Sequence, residues 1–354
     1  MFTDECSGPA IHGAMDVELS FLVVNTNQRR LLLRGLDAIA RERRRLPFET
    51  EVIVLDNASS DGSARAAAAH PTVSEVIALD RRRGKADNDS VLLRRARGRY
   101  GLLLNEDSEV LPGAVGRLHA ALSADATAAA AGGRLLRGDL RAQPSAWRFP
   151  GPATAALTAL WLHRSLVVQS RGDRVREVDW AQSAALLVRR DAAAAIGWLD
   201  PAFFVYYDDA DFCRRLRDGG WRVLYVPAAV TIHHEQLSTG AVPERRIVEF
   251  SRNRDAYVRK HHSASAALAV RALTAWAYAV RAAAAVALPG HDARRYRRHV
   301  TATLRPGAGV GLRERAEAFN RQRDEEGGPA AARAASTGAG GDARSTVDGL
   351  RVGG

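Results

Sequence analysis

Apolar and polar positions fall into blocks along the first hundred residues, and the blocks alternate between strand-like and helix-like character. Val17–Val24 (VELSFLVV) is a short apolar run with β-branched enrichment that ends on the polar Asn25-Thr26-Asn27, the pattern of a buried strand delivering a loop. Leu31–Arg45 reads as a helix. Val52–Leu55 is a second strand, closed by Asp56-Asn57-Ala58-Ser59-Ser60-Asp61-Gly62, a turn-rich stretch that also caps a helix over Ser63–His70. Val73–Leu79, a helix near Val91–Arg97 and Tyr100–Leu104 repeat the rhythm. Strands alternating with helices through short connections predict a parallel sheet with helices on both faces. Ligands in such sheets sit at the carboxyl ends of the strands, so the loops after Val24, Leu55 and Leu104 are expected to face one crevice.

Beyond Pro112 the pattern predicts a helix to Ser123 and a strand near Gly133–Leu136. Arg137–Arg176 is irregular, and its Pro, Gly and Trp content suits an insertion facing a second substrate. Strands resume at Ala184–Val188 and Arg222–Val226, and the chain reads as helical from Pro243 to His262 and on to Leu304. Within that stretch Ala264–Leu288 is long and apolar but carries Arg271 and Arg281. Those charges favour a helix lying on a membrane surface or packed on the domain over one that crosses the bilayer. The expected organisation is a disordered extension over 1–15, an α/β domain over 16–262, a helical region suited to a membrane over 263–323 and a disordered tail over 324–354.

Composition narrows the partners. The 354 residues carry a formal net charge of +11, which favours acidic partners such as nucleotides or phospholipid surfaces. The basic runs have no aromatic interleaving and no reader motif, so nucleic acid is not an expected partner. Cys6 and Cys213 lie far apart and form no CxxC pair, which indicates neither a disulfide framework nor a structural zinc site and makes a reducing cytoplasm the simplest compartment. The stretch before Met15 has no apolar core and does not fit a secretory signal.

Three constellations carry candidate chemistry. Asn105-Glu106-Asp107-Ser108-Glu109 follows the strand Tyr100–Leu104; carboxylates at the end of a buried strand fit a bound cation or a helix cap. Phe203–Asp211 (FFVYYDDAD) places Asp208, Asp209 and Asp211 beside an aromatic run, a like-charge cluster that raises proton affinity and suits a general base near neutral pH. Asp209 and Asp211 cannot point the same way at that spacing, and Asp211 is assigned to the helix N-terminus, where the dipole welcomes an acid. His233-His234, after an apolar run, offers either a third ligand to a divalent ion or a pair of surface histidines. No GxGxxG follows the first strand, and neither GxxxxGK[ST] nor GxSxG occurs, so nicotinamide, P-loop and α/β-hydrolase sites are unsupported.

Together these stretches resemble the family-2 glycosyltransferases of GT-A fold, particularly the bacterial rhamnosyl- and galactofuranosyl-transferase-like branch. The resemblance runs from Val17 to His262 through VVNTN (Val23–Asn27), VLDNASSDGS (Val54–Ser63), RGRYGLLLNEDSEVLPGA (Arg97–Ala114), VDWAQSAALLVRRD (Val178–Asp191), LDPAFFVYYDDADFCRRLRDGGWRV (Leu199–Val223) and VPAAVTIHH (Val226–His234). It implies a mixed α/β sheet with helices on both faces and a C-terminal helical region. It implies that Asn25, Asn27, Asp56, Asn57 and Gly84 hold the nucleotide of a dTDP- or UDP-linked sugar, that Asp107 and His233 hold Mg²⁺ or Mn²⁺, that Asp209 is the catalytic base, and that Trp180 and Asp208 shape the acceptor pocket. The implied reaction is inverting transfer to a glycan or lipid-linked acceptor in surface-polysaccharide synthesis, at the cytoplasmic face of the cell membrane.

The chain departs from the family's pattern in the first loop and around Gly84. Thr26 stands for an aromatic residue, Lys85 for the aromatic after Gly84, Asp89-Ser90 for an Asn pair, and Ser183 for a glycine. These changes motivate a second expectation, a weakened relative that binds nucleotide-sugar or protein partners without transfer. Arg81-Arg82-Arg83 is read either as a grip on a diphosphate or as a solvated turn.

Overall fold

The computed structural model describes residues 17–234, 243–287 and 292–327. β1 (Leu19–Asn25) and β2 (Thr50–Asp56) are buried along their whole length, which requires cover on both faces. Phe21 and Leu22 accordingly enter different cores. Phe21 packs with the inner faces of α1 (Arg29–Arg43) and, further along the chain, α4 (Ala114–Ala124), whereas Leu22 packs with α3 (Lys85–Arg95) and α7 (Asp208–Asp218). The short helix α2 (Ser63–Ala68), the strands β3 (Glu75–Ala78) and β4 (Tyr100–Asn105), and β5 (Ser108–Val110) complete the first half.

The second half adds β6 (Ala128–Leu136), β7 (Ala142–Gln143), β8 (Ala146–Trp147), α5 (Pro152–Ala159), one π-turn (His163–Val167), β9 (Arg176–Val178), β10 (Trp180–Ala181), β11 (Ala185–Arg189), α6 (Arg190–Ala195) and β12 (Arg222–His233). The main sheet has ten strands, in the order β3-β2-β1-β4-β11-β6-β12-β5, with β7 on β6 and β9 on β12. The alternation of the first half points to parallel pairing, which holds for β1 with β2 and β4 and for β2 with β3, and the mixed sheet implied by the resemblance is what the whole sheet shows. β11 runs antiparallel between β4 and β6, and β5 runs antiparallel to β12, so the sheet is mixed. A run such as Ala185–Arg189 carries no signal of its direction, because the side-chain period of two is the same for both pairings.

The register puts the carboxyl ends of β1, β2, β4, β6 and β12 at one edge, and the start of antiparallel β11 meets the end of β4 there through Ala185 and Leu104. α8 (Pro243–His261), α9 (Ala264–Ala287), α10 (Ala293–Leu304) and α11 (Leu312–Gly327) follow the sheet. α11 continues through Gly327, so Asp324 and its successors up to that point are helical rather than part of a disordered tail. The extension over 1–15 and the chain beyond Gly327 lie outside the described residues. Among the described residues no helix is long and apolar enough to cross a membrane.

α8 is tied to α7 through Asp211. Its fully buried carboxylate meets Arg215 at 2.8 Å, Lys260 at 2.6 Å and His261 at 2.7 Å. Asp211 does stand in the first turn of α7, as expected, but its carboxylate is spent on these side chains. Burial works against the charge, yet the bonds from His261, Lys260 and Arg215 outweigh it and hold the carboxyl below its ordinary range. Removing one partner of such a buried cluster strands the others, so Asp211→Ala should destabilise the fold by about 3 kcal/mol in urea unfolding at neutral pH. Because the folded-state value is depressed, the wild-type advantage should be fully present above the ordinary carboxylate range and shrink as pH falls through it.

Candidate active site

The loops after β1 and β2 are locked to each other at the crevice edge. Asn25 donates to Asp56 Oδ1 at 2.8 Å and to Ser59 Oγ at 3.2 Å, while Asp56 Oδ2 accepts from the Ser59 N–H at 2.9 Å. Asn25 Oδ1 is buried without a partner. Asn27 takes a left-handed conformation, φ 53°, which Asn tolerates, and its Oδ1 accepts from the Ser60 N–H at 2.7 Å. Asn57 reads the next loop by accepting from the Arg83 N–H at 2.8 Å and donating back to the Arg83 carbonyl at 3.1 Å. The structure therefore joins Asn25, Asn27, Asp56, Asn57 and the approach to Gly84 into one bonded rim.

Gly84 is needed for closeness. A Cβ there would lie 2.8 Å from the Phe204 carbonyl oxygen, and the adjacent Lys85 N–H donates to that same oxygen at 2.6 Å. The Arg81-Arg82-Arg83 run is neither free to grip a ligand throughout nor simply solvated. Arg81 pairs with Asp324 at 2.8 Å, the Arg82 guanidinium lies 3.8 Å from the Phe319 ring centroid, and the Arg82 backbone exchanges hydrogen bonds with the Asn320 amide at 2.7 and 2.9 Å. α11 thus braces the rim from a distance in sequence that no local pattern could signal.

Asp107 sits at the turn between β4 and β5, and its backbone carbonyl accepts from the His234 N–H at 3.0 Å. That contact brings His233, the last residue of β12, to 3.3 Å from Asp107 Oδ1. Asn105 Nδ2 lies 3.4 Å from His233 Nε2, and the Gln143 side chain meets Nδ1 on the other side of the ring at 3.2 Å. Sequence reasoning missed Gln143, which lies in the irregular segment and fixes the imidazole by its far nitrogen. His234 turns away to Glu109 at 2.6 Å. Among the described residues no group of three or more His, Cys, Asp or Glu side chains is arranged to hold a metal. Asp107 and His233 are two buried donors, a carboxylate oxygen and an imidazole nitrogen, and the rest of a cation's shell would have to come from water and substrate phosphate.

The catalytic-base candidate is built by a strained turn. Tyr206 and Tyr207 both take left-handed φ, 68° and 64°, and so aim the first turn of α7 at the crevice. α8 holds that turn: Arg246 donates to the Tyr206 hydroxyl at 2.8 Å, and Asn253 donates to the Val205 carbonyl at 2.7 Å. Asp209 Oδ2 then accepts from the Ser183 N–H at 3.3 Å, just ahead of β11. Burial, with Asp208 beside it, pushes the Asp209 carboxyl up to about 7 against the opposing pull of Lys85. Burial likewise raises Asp208, whose Oδ2 has no hydrogen-bond partner.

Three of the residues singled out as departures, Lys85, Asp89 and Ser183, meet in one cluster. Lys85 Nζ lies 2.5 Å from Asp89 Oδ2 and 3.0 Å from Ser183 Oγ, beneath the Asp209 carboxylate. Burial works against the Lys85 charge, but Asp89, Asp208 and Asp209 push its value up to about 12, so it stays protonated. Ser90 is instead structural, its hydroxyl donating to the Ala86 carbonyl at 2.8 Å and accepting from the Leu199 N–H at 3.1 Å. Trp180 is partly buried, stacks on Trp147 at 4.4 Å and donates its indole N–H to the Arg148 carbonyl at 3.1 Å. It packs with Phe203, Tyr207 and Ala210, the cluster that carries the Asp209 turn.

A mixed sheet with acids, amides and a histidine gathered at one strand edge places the molecule among transferases of GT-A fold. Residues 17–279 match the family described as glycosyltransferase like family 2, and the chain belongs to that family. It is a glycosyltransferase. It is 29% identical over 231 residues to an N-acetylglucosaminyl-diphospho-decaprenol L-rhamnosyltransferase of Mycobacterium tuberculosis, covering 60% of this chain and 75% of that protein. A stretch of 57 residues is 39% identical to rhamnosyltransferase WbbL of Escherichia coli, 16% of this chain and 22% of that protein. Mannosyltransferase PcManGT from Pyrobaculum calidifontis, solved with GDP-Man and Mn2+, superposes with a TM-score of 0.51 at 18% identity over 83% of this chain and 88% of that one. S. aureus TarS 1-349 with UDP-GlcNAc gives 0.52 at 12% identity over 87% and 88%. At these identities the structural likeness speaks for the fold alone.

The cluster around Asp209 generates a pH prediction. A base must be ionised to accept a proton, so kcat/KM should rise with pH as Asp209 deprotonates, with the inflection near 7. Lys85→Met removes the facing cation and should move that inflection upward by about one pH unit. An inflection that stays in place would show that Lys85 does not act on the base.

Proposed function

We propose that this glycosyltransferase moves a sugar of the rhamnosyl type from a dTDP- or UDP-linked donor to a glycan or lipid-linked acceptor, with inversion, in cell-surface polysaccharide synthesis. The observation that carries the reading is the placement of Asp209, which accepts from the Ser183 N–H just ahead of β11, the strand whose start meets the end of β4 at the edge that also carries the Asn25–Asp56–Asn57 rim. The relatives support the sugar and the acceptor class, since one is named as a rhamnosyltransferase acting on a diphospho-decaprenol-linked sugar.

The residues divide the work by position. Asn25, Asn27, Asp56 and Asn57 hold the donor's nucleoside, and the tight Gly84–Phe204 contact sets how closely the backbone can approach it. Asp107 and His233 would hold a divalent cation, Mg²⁺ or Mn²⁺, which when bound offsets charge on the leaving diphosphate. Asp209 takes the proton from the acceptor hydroxyl. The acceptor oxygen then bonds to the anomeric carbon while the bond from that carbon to the diphosphate oxygen breaks, and in-line attack inverts the centre. Asp208, with an unpartnered oxygen, and Trp180 border the acceptor side. Acceptors of this kind put the enzyme at the cytoplasmic face of the membrane.

Two measurements test the assignment. Calorimetric titration with UDP, dTDP and GDP, each with and without Mn²⁺, should show one nucleotide bound in a metal-dependent way. Asp107→Ala should weaken that binding about tenfold or more with Mn²⁺ and little without it; an equal loss in both conditions would remove Asp107 from the metal. Asp209→Asn should lower transfer about a thousandfold while leaving donor binding intact, and loss of donor binding at unchanged stability would count against its role as base.

A further inference from the structure

α9 is apolar on both of its faces. Inward, small residues such as Ala267, Ala277 and Ala282 are buried, and the helix contacts α5 on one flank and α10 on the other, with α8 beneath. Outward, Leu268, Ala272, Trp276, Ala279, Ala283 and Val286 recur at helical spacing and are all exposed, Trp276 and Val286 at 62% and 73%. This stripe is about 27 Å long at the helical rise. Neither charge of the helix relieves it, because Arg271 is spent on Asp255 at 2.7 Å and Arg281 on the Ala277 carbonyl at 3.0 Å and the Trp161 ring. A helix that is apolar all round is normally covered on every side.

The same side of the molecule continues beyond α9. Arg281 lies 5.5 Å from the centroid of Trp161, which stands exposed with Leu160 and Leu162 just after α5. On the other flank α10 stacks His299 on Tyr278 at 4.3 Å and carries Arg294, Arg295 and Arg297, exposed and without side-chain partners among the described residues. An apolar stripe bordered by Leu160, Trp161 and Leu162 on one flank and by free guanidinium groups on the other matches the boundary between acyl chains and anionic headgroups. We infer that the α5–α9–α10 face docks the enzyme on an anionic lipid surface, with α9 lying in the plane of the interface.

The docking face is one helix layer from the chemistry. Ala267 and Val270 on the inner side of α9 pack in the same cluster as Phe203 and Ala210, which flank the Asp208-Asp209 pair. A membrane-seated α9 therefore sets the height of the catalytic carboxylate above the lipid, where the hydroxyl of a lipid-linked sugar would arrive. The inference deepens the lipid-linked-acceptor reading and rests on it for the choice of partner. Vesicle binding requires neither donor nor turnover, so its failure and a failure of transfer are separate results.

The test is co-sedimentation of the full chain with vesicles of equal parts phosphatidylglycerol and phosphatidylcholine, and with phosphatidylcholine alone, over a range of salt. The wild type should pellet with the anionic vesicles and release as salt is raised. Leu268→Ser/Trp276→Ser should weaken that binding about tenfold or more, with nucleotide binding and the thermal midpoint unchanged. Arg294→Glu/Arg295→Glu should abolish the preference for anionic lipid. Unchanged pelleting of the serine variant would overturn the inference. So would sedimentation equilibrium showing a wild-type dimer that the serine variant breaks, without vesicle binding, since the stripe would then be covered by a second copy.

Discussion

Asp208 and Asp209 are buried side by side at the start of α7, and two carboxylates in that position cannot both ionise without a cation close by. Lys85 is that cation. Its ammonium is fixed by Asp89 and Ser183, so the start of α3, the approach to β11 and the first turn of α7 have to meet at one point. Much of the surrounding construction serves this meeting. The left-handed Tyr206-Tyr207 pair aims the helix, α8 braces it through Arg246 and Asn253, and Asp211 anchors the same helix from its opposite side.

The three departures from the family pattern near this point are a single substitution in physical terms. A lysine in place of an aromatic residue would leave a buried charge unpaired, which is strongly unfavourable. An acid in place of an amide at Asp89 and a hydroxyl in place of glycine at Ser183 supply its partners, at 2.5 and 3.0 Å. Lys85, Asp89 and Ser183 thus form one ordered polar cluster at the start of α3, and its cation pulls against the burial and the Asp208 charge that raise Asp209.

The site and the inner face of α9 share a frame. The cluster of Phe203, Ala210, Tyr257 and Val270 links the aromatic run before Asp208 to the inner face of α9, while α11 holds the Arg81-Arg82 side of the rim through Asn320 and Asp324. The C-terminal helices therefore contact both the turn before Asp208 and the Arg81-Arg82 loop, which ties this alanine-rich segment to the sheet domain.

By itself the sequence determined the strand and helix blocks of the first half, the loops that would reach the crevice, and the divergence of Asp209 from Asp211. Each of these follows from local periodicity: a strand's end exposes its next residues, and positions two apart on a helix face nearly opposite ways. Only the tertiary structure decided that β11 enters antiparallel, that Gln143 sets the His233 ring, that Arg81 and Arg82 are held by α11, and that Lys85 faces Asp209. Those are pairings between residues tens to hundreds of positions apart. Their partners are chosen by how the layers pack, and hydrophobic spacing along the chain carries the burial of a residue but not the identity of its neighbour.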